Sequence, residues 1–420
     1  MKQTAGTYKG WQVITDRNRW LNLYVAPQLG GRIIQVEMDG YGYLFTNPLL
    51  EGKEPDVTRL DENGKWLNFG GEKIWPAPQG WGAPGQWPGP PDPVLDGGIY
   101  CSVVNKDEEL SSEIILKSPF DPYTGLQITR KICLSSGFSG VDIAVTFCNR
   151  GDTPIRWSVW PVCQMNTPEG KGWEHNQIVC PVSAESKFAD GYKVMHGLVN
   201  NPQYGTDAYG NFAVTYDYLV GKAGLDTDSN WIAYLNRETG KVFVVRFNYE
   251  KGKPYPENTS VQIWTQGKGL IFSRNRIVEY KDDKYQNPPY MELELLSPLS
   301  EIAPGDEYVF EYQMCACTIP ANSGIQTVSR YGVISSPLKV EKVDGGILVT
   351  AKFGFFTDGV VKFQIEVVRE NGETNRISLH EINASPLEGM DFGTTIIETD
   401  GWSDQEVCCT AELFDRNGHF

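Results

Sequence analysis

The dominant pattern in this chain is the alternation of apolar and polar residues over short segments. In residues 140–148, Val141, Ile143, Val145 and Phe147 fall on one face, and smaller or polar residues fall on the other. Successive side chains of a strand point to opposite faces, so this period of two predicts a β-strand with one buried face.

The same alternation recurs along the chain. Residues 231–235 and 241–247 flank the turn-like segment 236–240 and predict a hairpin. Residues 291–296 and 308–315 alternate in the same way. Asp-Gly and Asn-Gly turn dipeptides recur, and a helical period is hard to find anywhere. The pattern predicts an all-β protein.

Strand signals also suggest how the chain is divided. After a weakly patterned stretch of small residues at 318–328, about 90 residues carry short strand signals at the 8–12-residue spacing that is typical of a small β-sandwich. We therefore predict a large β domain over residues 1–320 and a small, Ig-like β-sandwich over residues 328–420.

Residues 66–98 combine four tryptophans with seven prolines and eight glycines. Proline removes backbone donors and glycine raises the entropic cost of order, so we expect neither a helix nor a central strand here, but a long ordered loop. The indoles of Trp66, Trp75, Trp81 and Trp87 need burial or a ligand. Two interpretations are open: a platform for a flat ligand such as a sugar ring, or a cap on one end of the core.

Charge and hydropathy limit the partners. The chain has 37 basic and 53 acidic residues, a net charge of −16, which disfavours nucleic acid and anionic membranes. No apolar run approaches the roughly 18–20 residues of a membrane span, and the first residues lack the apolar core of a secretion signal. We expect a cytoplasmic protein without a nucleic-acid or membrane partner.

The chain offers little for a metal or a cofactor. Its nine cysteines are scattered through strand-like runs, as expected of buried free thiols, and Cys315-Ala-Cys317 lacks a second ligand pair. Gly80-Trp-Gly-Ala-Pro-Gly85 has the spacing of a dinucleotide fingerprint, but the surrounding prolines forbid the strand and helix that this fingerprint needs. We predict no cofactor and no metal.

Two carboxylates are the main candidates for chemistry. Glu292 and Glu294 project from one face of the predicted strand 291–296. In a cleft they would bind hydroxyls or act as a general base, whereas on an outer strand they would face solvent, and both interpretations are open. His175 lies among polar and aromatic residues, and it is either a general acid or an ordinary loop histidine.

Further polar candidates lie in or near the tryptophan-rich segment. Charged groups beside indoles combine stacking with hydroxyl recognition, which makes Glu72, Lys73, Asp92 and Asp96 candidates for ligand contacts. Arg32 opens an early strand after two glycines that permit close backbone approach.

Five motifs of the chain resemble those of a known superfamily. Two early ones are Pro27-Gln-Leu-Gly-Gly-Arg-Ile-Ile and Tyr43-Leu-Phe-Thr-Asn-Pro, two late ones are Tyr290-Met-Glu-Leu-Glu-Leu-Leu-Ser-Pro-Leu and Ile302-Ala-Pro-Gly-Asp, and the fifth is Asn68-Phe-Gly-Gly-Glu-Lys-Ile-Trp-Pro-Ala-Pro. The early and late motifs resemble the opening and final strands of galactose mutarotase-like (aldose 1-epimerase-like) proteins, and the fifth is similar to the signature of an uncharacterised bacterial family of unknown function within that superfamily. The resemblance covers residues 8–318 and implies a twisted β supersandwich with a carbohydrate cleft on its concave face.

The resemblance also implies roles for individual residues. In aldose 1-epimerases a histidine donates a proton to the ring oxygen and a glutamate removes the proton of the anomeric hydroxyl. Glu292 or Glu294 takes the place of that glutamate. The strand that should carry a histidine falls near residues 156–163, where Trp160 or a neighbour stands instead, so that His175 remains as the acid.

Carbohydrate recognition is therefore the main expectation, in a cleft lined by residues 66–98. An epimerase-like enzyme with Glu/His acid–base chemistry and a non-catalytic sugar-binding protein both fit it. A structural or partner-binding role of the C-terminal sandwich is a third alternative, which rests on fold analogy alone. Nothing in the sequence fixes the oligomeric state.

Overall fold

The computed structural model describes residues 4–54, 66–106, 112–273, 276–343, 346–368, 374–397 and 406–414. Regular structure in these ranges consists of β-strands and one short 3-10 helix, Pro256–Asn258. The all-β class predicted from the sequence is confirmed. Within the same ranges, no helix has the length and apolar character needed to cross a membrane.

The strands are numbered in chain order. The first twenty-four are β1 (Thr4–Tyr8), β2 (Trp11–Arg17), β3 (Leu21–Ala26), β4 (Arg32–Met38), β5 (Tyr41–Gly42), β6 (Glu72–Ala77), β7 (Cys101–Lys106), β8 (Ser112–Lys117), β9 (Leu126–Leu134), β10 (Gly140–Asn149), β11 (Ile155–Asn166), β12 (Asn176–Cys180), β13 (Lys193–Gly197), β14 (Tyr204–Thr206), β15 (Phe212–Thr215), β16 (Gly221–Leu225), β17 (Trp231–Asn236), β18 (Lys241–Phe247), β19 (Val261–Gln266), β20 (Gly269–Ser273), β21 (Arg276–Tyr280), β22 (Tyr290–Leu295), β23 (Ser300–Ile302) and β24 (Glu307–Thr318). The remaining strands are β25 (Thr327–Val328), β26 (Gly332–Val343), β27 (Gly346–Phe355), β28 (Gly359–Val368), β29 (Thr374–Ala384), β30 (Met390–Ile397) and β31 (Glu406–Phe414).

The chain divides into two compact units. The first comprises residues 1–136, 140–234 and 243–315, and the second comprises residues 137–139, 235–242 and 316–420. The domain boundaries at residues 320 and 328 stay predictions.

Two large sheets form most of the first unit. The first sheet has twelve strands in the order β1-β2-β3-β4-β6-β11-β22-β19-β16-β13, with β5 paired to β4 and β23 paired to β11. The second sheet has ten strands in the order β14-β15-β12-β17-β18-β24-β10-β9-β8-β7. β20 and β21 form a separate hairpin.

Side chains from the two large sheets meet in a shared core. Cys163 of β11 lies 4.0 Å from Met314 of β24, measured between their sulfur atoms. At the centre of this core, the guanidinium of Arg130 on β9 donates to the carboxylate of Glu72 on β6, which also accepts a hydrogen bond from the Tyr312 hydroxyl on β24. Arg130 and Glu72 are both fully buried, so one face of β6 is tied to the second sheet.

The expectation that no central strand occurs in residues 66–98 is wrong for residues 72–77. They form β6, which lies between β4 and β11. Pro76 is opposite Val159 of β11, but the register with β4 ends at the pair Ile33–Glu72. The side of Pro76 that faces away from β11 therefore meets no ladder, so a proline is tolerated inside this strand.

Other sequence expectations for the first unit are confirmed. β17 and β18 are neighbours in the second sheet, as the predicted hairpin requires. In β22, Met291 and Leu293 take one face while Glu292 and Glu294 take the other, and all four are buried. β22 lies between β11 and β19, so the interpretation that its acids face solvent from an outer strand is wrong.

The second unit contains a small sandwich. One sheet has the order β25-β26-β27-β30 and the other has the order β29-β28-β31. Their inner faces share a core in which Phe363 of β28 stacks on Phe392 of β30, with ring centroids 3.8 Å apart. Val349 and Ile365 are fully buried in the same core.

The buried pair in the first unit generates a stability prediction. Arg130→Met leaves the Glu72 carboxylate buried without its cation, so we expect the free energy of unfolding to fall by about 3–5 kcal/mol. Urea unfolding followed by tryptophan fluorescence measures this, because eleven of the twelve tryptophans lie in the first unit. Lys251→Met removes the cation of the exposed Lys251–Glu185 pair and should cause no measurable change.

The double variant Glu72→Gln/Arg130→Met separates the charge from the packing. It removes both charges, so we expect it to recover part of the stability that Arg130→Met loses. If Arg130→Met unfolds at the same urea concentration as the wild type, the pair does not hold the two sheets together.

Candidate functional site

One face of the first sheet carries a row of polar and aromatic side chains. Directly opposed residues of neighbouring strands lie on the same face, and the registers connect β6 to β13 in this way. The opposite face carries the apolar core residues, such as Met291 and Leu293. We call the face with the polar and aromatic side chains the polar face. Its polar and aromatic residues are Lys73 and Trp75 of β6, Trp160 and Gln164 of β11, Glu292 and Glu294 of β22, Gln262 and Trp264 of β19, Lys222 of β16 and His196 of β13.

A cavity of about 360 Å³ adjoins one end of the polar face. This volume lies within the range of about 300–1,000 Å³ that is usual for ligand pockets. Its wall includes two indoles, an imidazole, two ammonium groups, two side-chain amides and a carboxylate, together with apolar side chains. The polar and aromatic groups belong to Trp81, Trp160, His196, Lys193, Lys222, Gln79, Gln262 and Glu257.

Glu294 lies behind the cavity wall and binds two of the residues that form it. Its Oε2 accepts a hydrogen bond from the Trp160 indole N–H and one from the Lys222 ammonium, each at 2.8 Å. Its Oε1 has no hydrogen-bond partner among the described residues, although Glu294 is only 1% exposed. Burial raises the pKa of Glu294, the charge of Glu292 acts in the same direction, and Lys222 opposes them. A carboxylate with an unused oxygen thus lies next to the cavity.

A second charged pair lies farther along the polar face. The Lys73 ammonium lies 3.6 Å from Oε1 of Glu292, and the Gln164 amide N–H donates to the same oxygen at 2.7 Å. Lys73 Nζ and Gln164 Oε1 make no hydrogen bond to any residue that the structure describes. Burial lowers the pKa of Lys73, while the charge of Glu292 opposes this shift. Two polar atoms in this part of the polar face are therefore left without a hydrogen bond from the described residues.

Lys73 also lies against two tryptophan rings. Its ammonium is 4.6 Å from the ring centroid of Trp75 and 5.3 Å from that of Trp66, both within the distance of a cation–π contact. Lys222 makes the same kind of contact with Trp160, at 4.7 Å. An ammonium group therefore lies against an aromatic ring at two places on the polar face.

The structure places two of the predicted ligand contacts in the interior. The guanidinium of Arg32 donates to the carbonyls of Leu29, Gly70 and Asp96 and to the Asp96 carboxylate, and Arg32 is fully buried. Glu72 points to the core between the sheets, where it pairs with Arg130. Both residues hold the fold around the site, with their polar groups directed at the protein.

Two carboxylates order the tryptophan-rich segment, residues 66–98. Asp96 accepts hydrogen bonds from the indoles of Trp66 and Trp75, each at 2.9 Å. Asp92 accepts one from the indole of Trp87 at 2.7 Å and two from backbone amides at 2.7 and 2.8 Å. Trp75 and Trp87 are buried, as in the core-cap interpretation.

Trp81 differs from the other indoles of this segment. It is only half-buried, its N–H donates to the carbonyl of Pro88 at 2.7 Å, and its ring lines the cavity. Of the four tryptophans of the segment, Trp81 is thus the one that the structure places in the cavity wall.

The histidine that the structure brings to the cavity is His196. Its ring lies in an edge-on arrangement 6.2 Å from the ring of Trp264. Burial and the nearby Lys222 charge lower the pKa of His196 to about 4, so its imidazole is neutral at pH 7. His175 lies in the segment between β11 and β12, where its Nε2 accepts a hydrogen bond from the Asn176 amide at 3.2 Å, and it is absent from the cavity wall described above.

Sequence reasoning missed Lys222, Gln262 and His196. Each becomes part of the site through pairing between strands that are distant in the chain, which no local pattern shows. One signal was present for Lys222: it is the single charged residue of β16, Gly-Lys-Ala-Gly-Leu, in which all five residues are buried. A lysine in a buried strand needs a partner or a ligand.

Comparison with known proteins gives a family and a set of similar folds. A family model described as a domain of unknown function, DUF4380, matches residues 12–313. The chain is similar to solved galactose mutarotase-like proteins from Clostridium acetobutylicum, at 11% identity over 76% of this chain and 98% of that chain (TM-score 0.45), and from Lactobacillus casei, at 11% identity over 72% and 99% (TM-score 0.43). The family match confirms the part of the predicted resemblance that concerns a family of unknown function.

A further similar structure belongs to a longer protein. It is a TPR-domain containing protein from Parabacteroides distasonis, with 12% identity and a TM-score of 0.47 over 73% of this chain. This chain spans 47% of the length of that protein.

The environment of His196 leads to a prediction on pH dependence. The pKa of His196 is about 4 in the folded protein and about 6.5 in the unfolded chain, so the unfolded state binds more protons between these values. The wild type should therefore lose stability through His196 as the pH falls from about 6.5 to about 4. We expect this contribution to be about 3 kcal/mol and to be absent from His196→Asn.

Urea unfolding at pH 7 and pH 4, followed by tryptophan fluorescence, gives the loss of unfolding free energy for the wild type and for His196→Asn. The difference between these two losses is the contribution of His196. His380→Asn, a variant of an exposed histidine in the second unit, is the matched control. An equal loss of stability in the wild type and in His196→Asn would contradict the prediction.

Proposed function

We propose that this chain, which belongs to the DUF4380 family of domains of unknown function, recognises a carbohydrate in the cavity beside the polar face. The observation that carries the proposal is the arrangement around Glu294. Its carboxylate has one unused oxygen and binds Trp160 and Lys222, both of which also form the cavity wall.

The chemistry of the wall suits a neutral, hydroxylated ligand. Sugar rings have apolar faces that stack on aromatic side chains, and Trp81 and Trp160 supply such faces. Each sugar hydroxyl both donates and accepts, and Gln262 and neutral His196 can do the same. Lys222 is matched by Glu294, and Lys193 by Glu257, so the ammonium groups at the cavity have carboxylate partners. A ligand without charge leaves both pairs intact.

Interconversion of the anomers of an aldose is a second candidate function. In this reaction a base takes the proton of the anomeric hydroxyl, the bond between C1 and the ring oxygen opens, and an acid protonates that oxygen. The raised pKa of Glu294 and its unused Oε1 favour it as the base. The Lys222 ammonium on the cavity wall supplies a proton donor where the sequence suggested His175. A purely binding protein remains the alternative.

Binding is tested with a panel of free sugars. We expect at least one of glucose, galactose, mannose, xylose and their β-1,4-linked disaccharides to raise the melting temperature and to change the tryptophan fluorescence, because a ligand that prefers the native state stabilises it. Trp81→Ala removes one stacking face and should weaken the affinity about three- to tenfold. Tyr285→Ala, which removes an exposed ring outside the cavity, should have no effect. A panel without any binder contradicts the proposed function.

Catalysis is tested by polarimetry of freshly dissolved aldoses. If the second candidate holds, the wild type accelerates the approach to the equilibrium rotation, and Glu294→Gln lowers this acceleration about 100-fold or more while the melting-temperature shift by the same sugar persists. Binding without any acceleration by the wild type would leave the non-catalytic alternative.

A further inference from the structure

A second cavity adjoins the first across the edge of the sheet. It has a volume of about 490 Å³. Val194, Met195 and His196 of β13 belong to the walls of both cavities. β13 is the last strand of the twelve-stranded sheet, and every residue in it is partly exposed. The two spaces are therefore neighbours that share one strand as a common wall.

The size of the two spaces bears on the size of the ligand. Each volume alone falls in the range of about 300–1,000 Å³ that holds a drug-sized ligand. A free monosaccharide bound in the first cavity would not contact the wall of the second. A chain of linked sugar rings that crosses β13 would contact the walls of both.

The second cavity has the residue types that such a chain needs. Asp190 and Asn200 bring a carboxylate and an amide to its wall. The ring of Tyr192 lies on the same wall, and it packs on Phe212 with ring centroids 4.3 Å apart and edge-on against Tyr204 at 5.9 Å. An aromatic ring fixed by two others offers contact area at little entropic cost.

We propose that the ligand is an oligosaccharide longer than a disaccharide, with its first rings between Trp81 and Lys222 and its following rings across β13, against Tyr192 and Asn200. The proposal rests on the proposed function, since it extends the same carbohydrate site. His196 lies at the junction, because it lines both cavities.

Calorimetric titration of the full chain with oligosaccharides of increasing length tests the proposal. The probes are glucose to cellotetraose, glucose to maltotetraose and mannose to β-1,4-mannotetraose. We expect the affinity in at least one series to rise about tenfold or more from the monosaccharide to the tetrasaccharide. Gln262→Ala, in the first cavity, should weaken the binding of every length.

The decisive variants lie in the second cavity. Asn200→Ala and Asp190→Asn should each lower the affinity for the tetrasaccharide about two- to tenfold, the effect of one hydrogen bond, and leave the affinity for the mono- and disaccharide unchanged. Asn248→Ala, which changes an exposed asparagine outside both cavities, is the matched control.

The possible failures are distinguishable. If the monosaccharide binds as tightly as the tetrasaccharide and Asn200→Ala changes neither, the extended ligand is wrong while the carbohydrate site stands. If no length in any series binds, the extended ligand is wrong; if no sugar of the melting-temperature panel binds either, the proposed function is wrong as well.

Discussion

The buried ion pair between Arg130 and Glu72 is the constraint from which the geometry of the site follows. It ties β6 to the second sheet through a charge that has no access to water. Because side chains alternate along a strand, a strand that directs Glu72 into the core must direct Lys73 and Trp75 to the opposite face. A register slip by one residue would bury the ammonium of Lys73 between the sheets and move Glu72 away from its cation.

The Asp96 carboxylate is a second such constraint, on residues before and within β6. One carboxylate accepts from Trp66, Trp75 and the guanidinium of Arg32, so it fixes two indoles and neutralises a buried cation at once. The polar and indole groups that composition favoured as sugar contacts are therefore bonded to one another. The groups that line the cavity come largely from β11, β13, β16 and β19, together with Trp81.

Local pattern was sufficient for the strands and insufficient for the site. The alternation of β22 and the β17–β18 hairpin could be predicted because both depend on neighbouring residues in the chain. β6 was missed since tolerance of Pro76 depends on where the register with β4 ends, which is a tertiary property. Lys222 reaches Glu294 and His196 reaches Trp264 through strand pairing over long sequence separations, and a single sequence contains no measure of that pairing. Composition predicted a carbohydrate ligand with contacts in residues 66–98, and the structure places Trp81 of that segment in the cavity wall.

The two faces of β22 can be compared with each other to ask why one of them carries the charges of Glu292 and Glu294. On one face, Met291, Leu293 and Leu295 fill the core without any polar group to satisfy. On the other face, Glu292 and Glu294 are buried with lysine partners, at a desolvation cost that well-packed apolar residues avoid. Stability alone would favour apolar residues on both faces of β22. The charged face even leaves an oxygen of Glu294 without a hydrogen bond among the described residues, a cost that a ligand hydroxyl can remove. The proposed carbohydrate site would account for this arrangement, because a bound hydroxyl would supply the hydrogen bond that Oε1 of Glu294 lacks among the described residues.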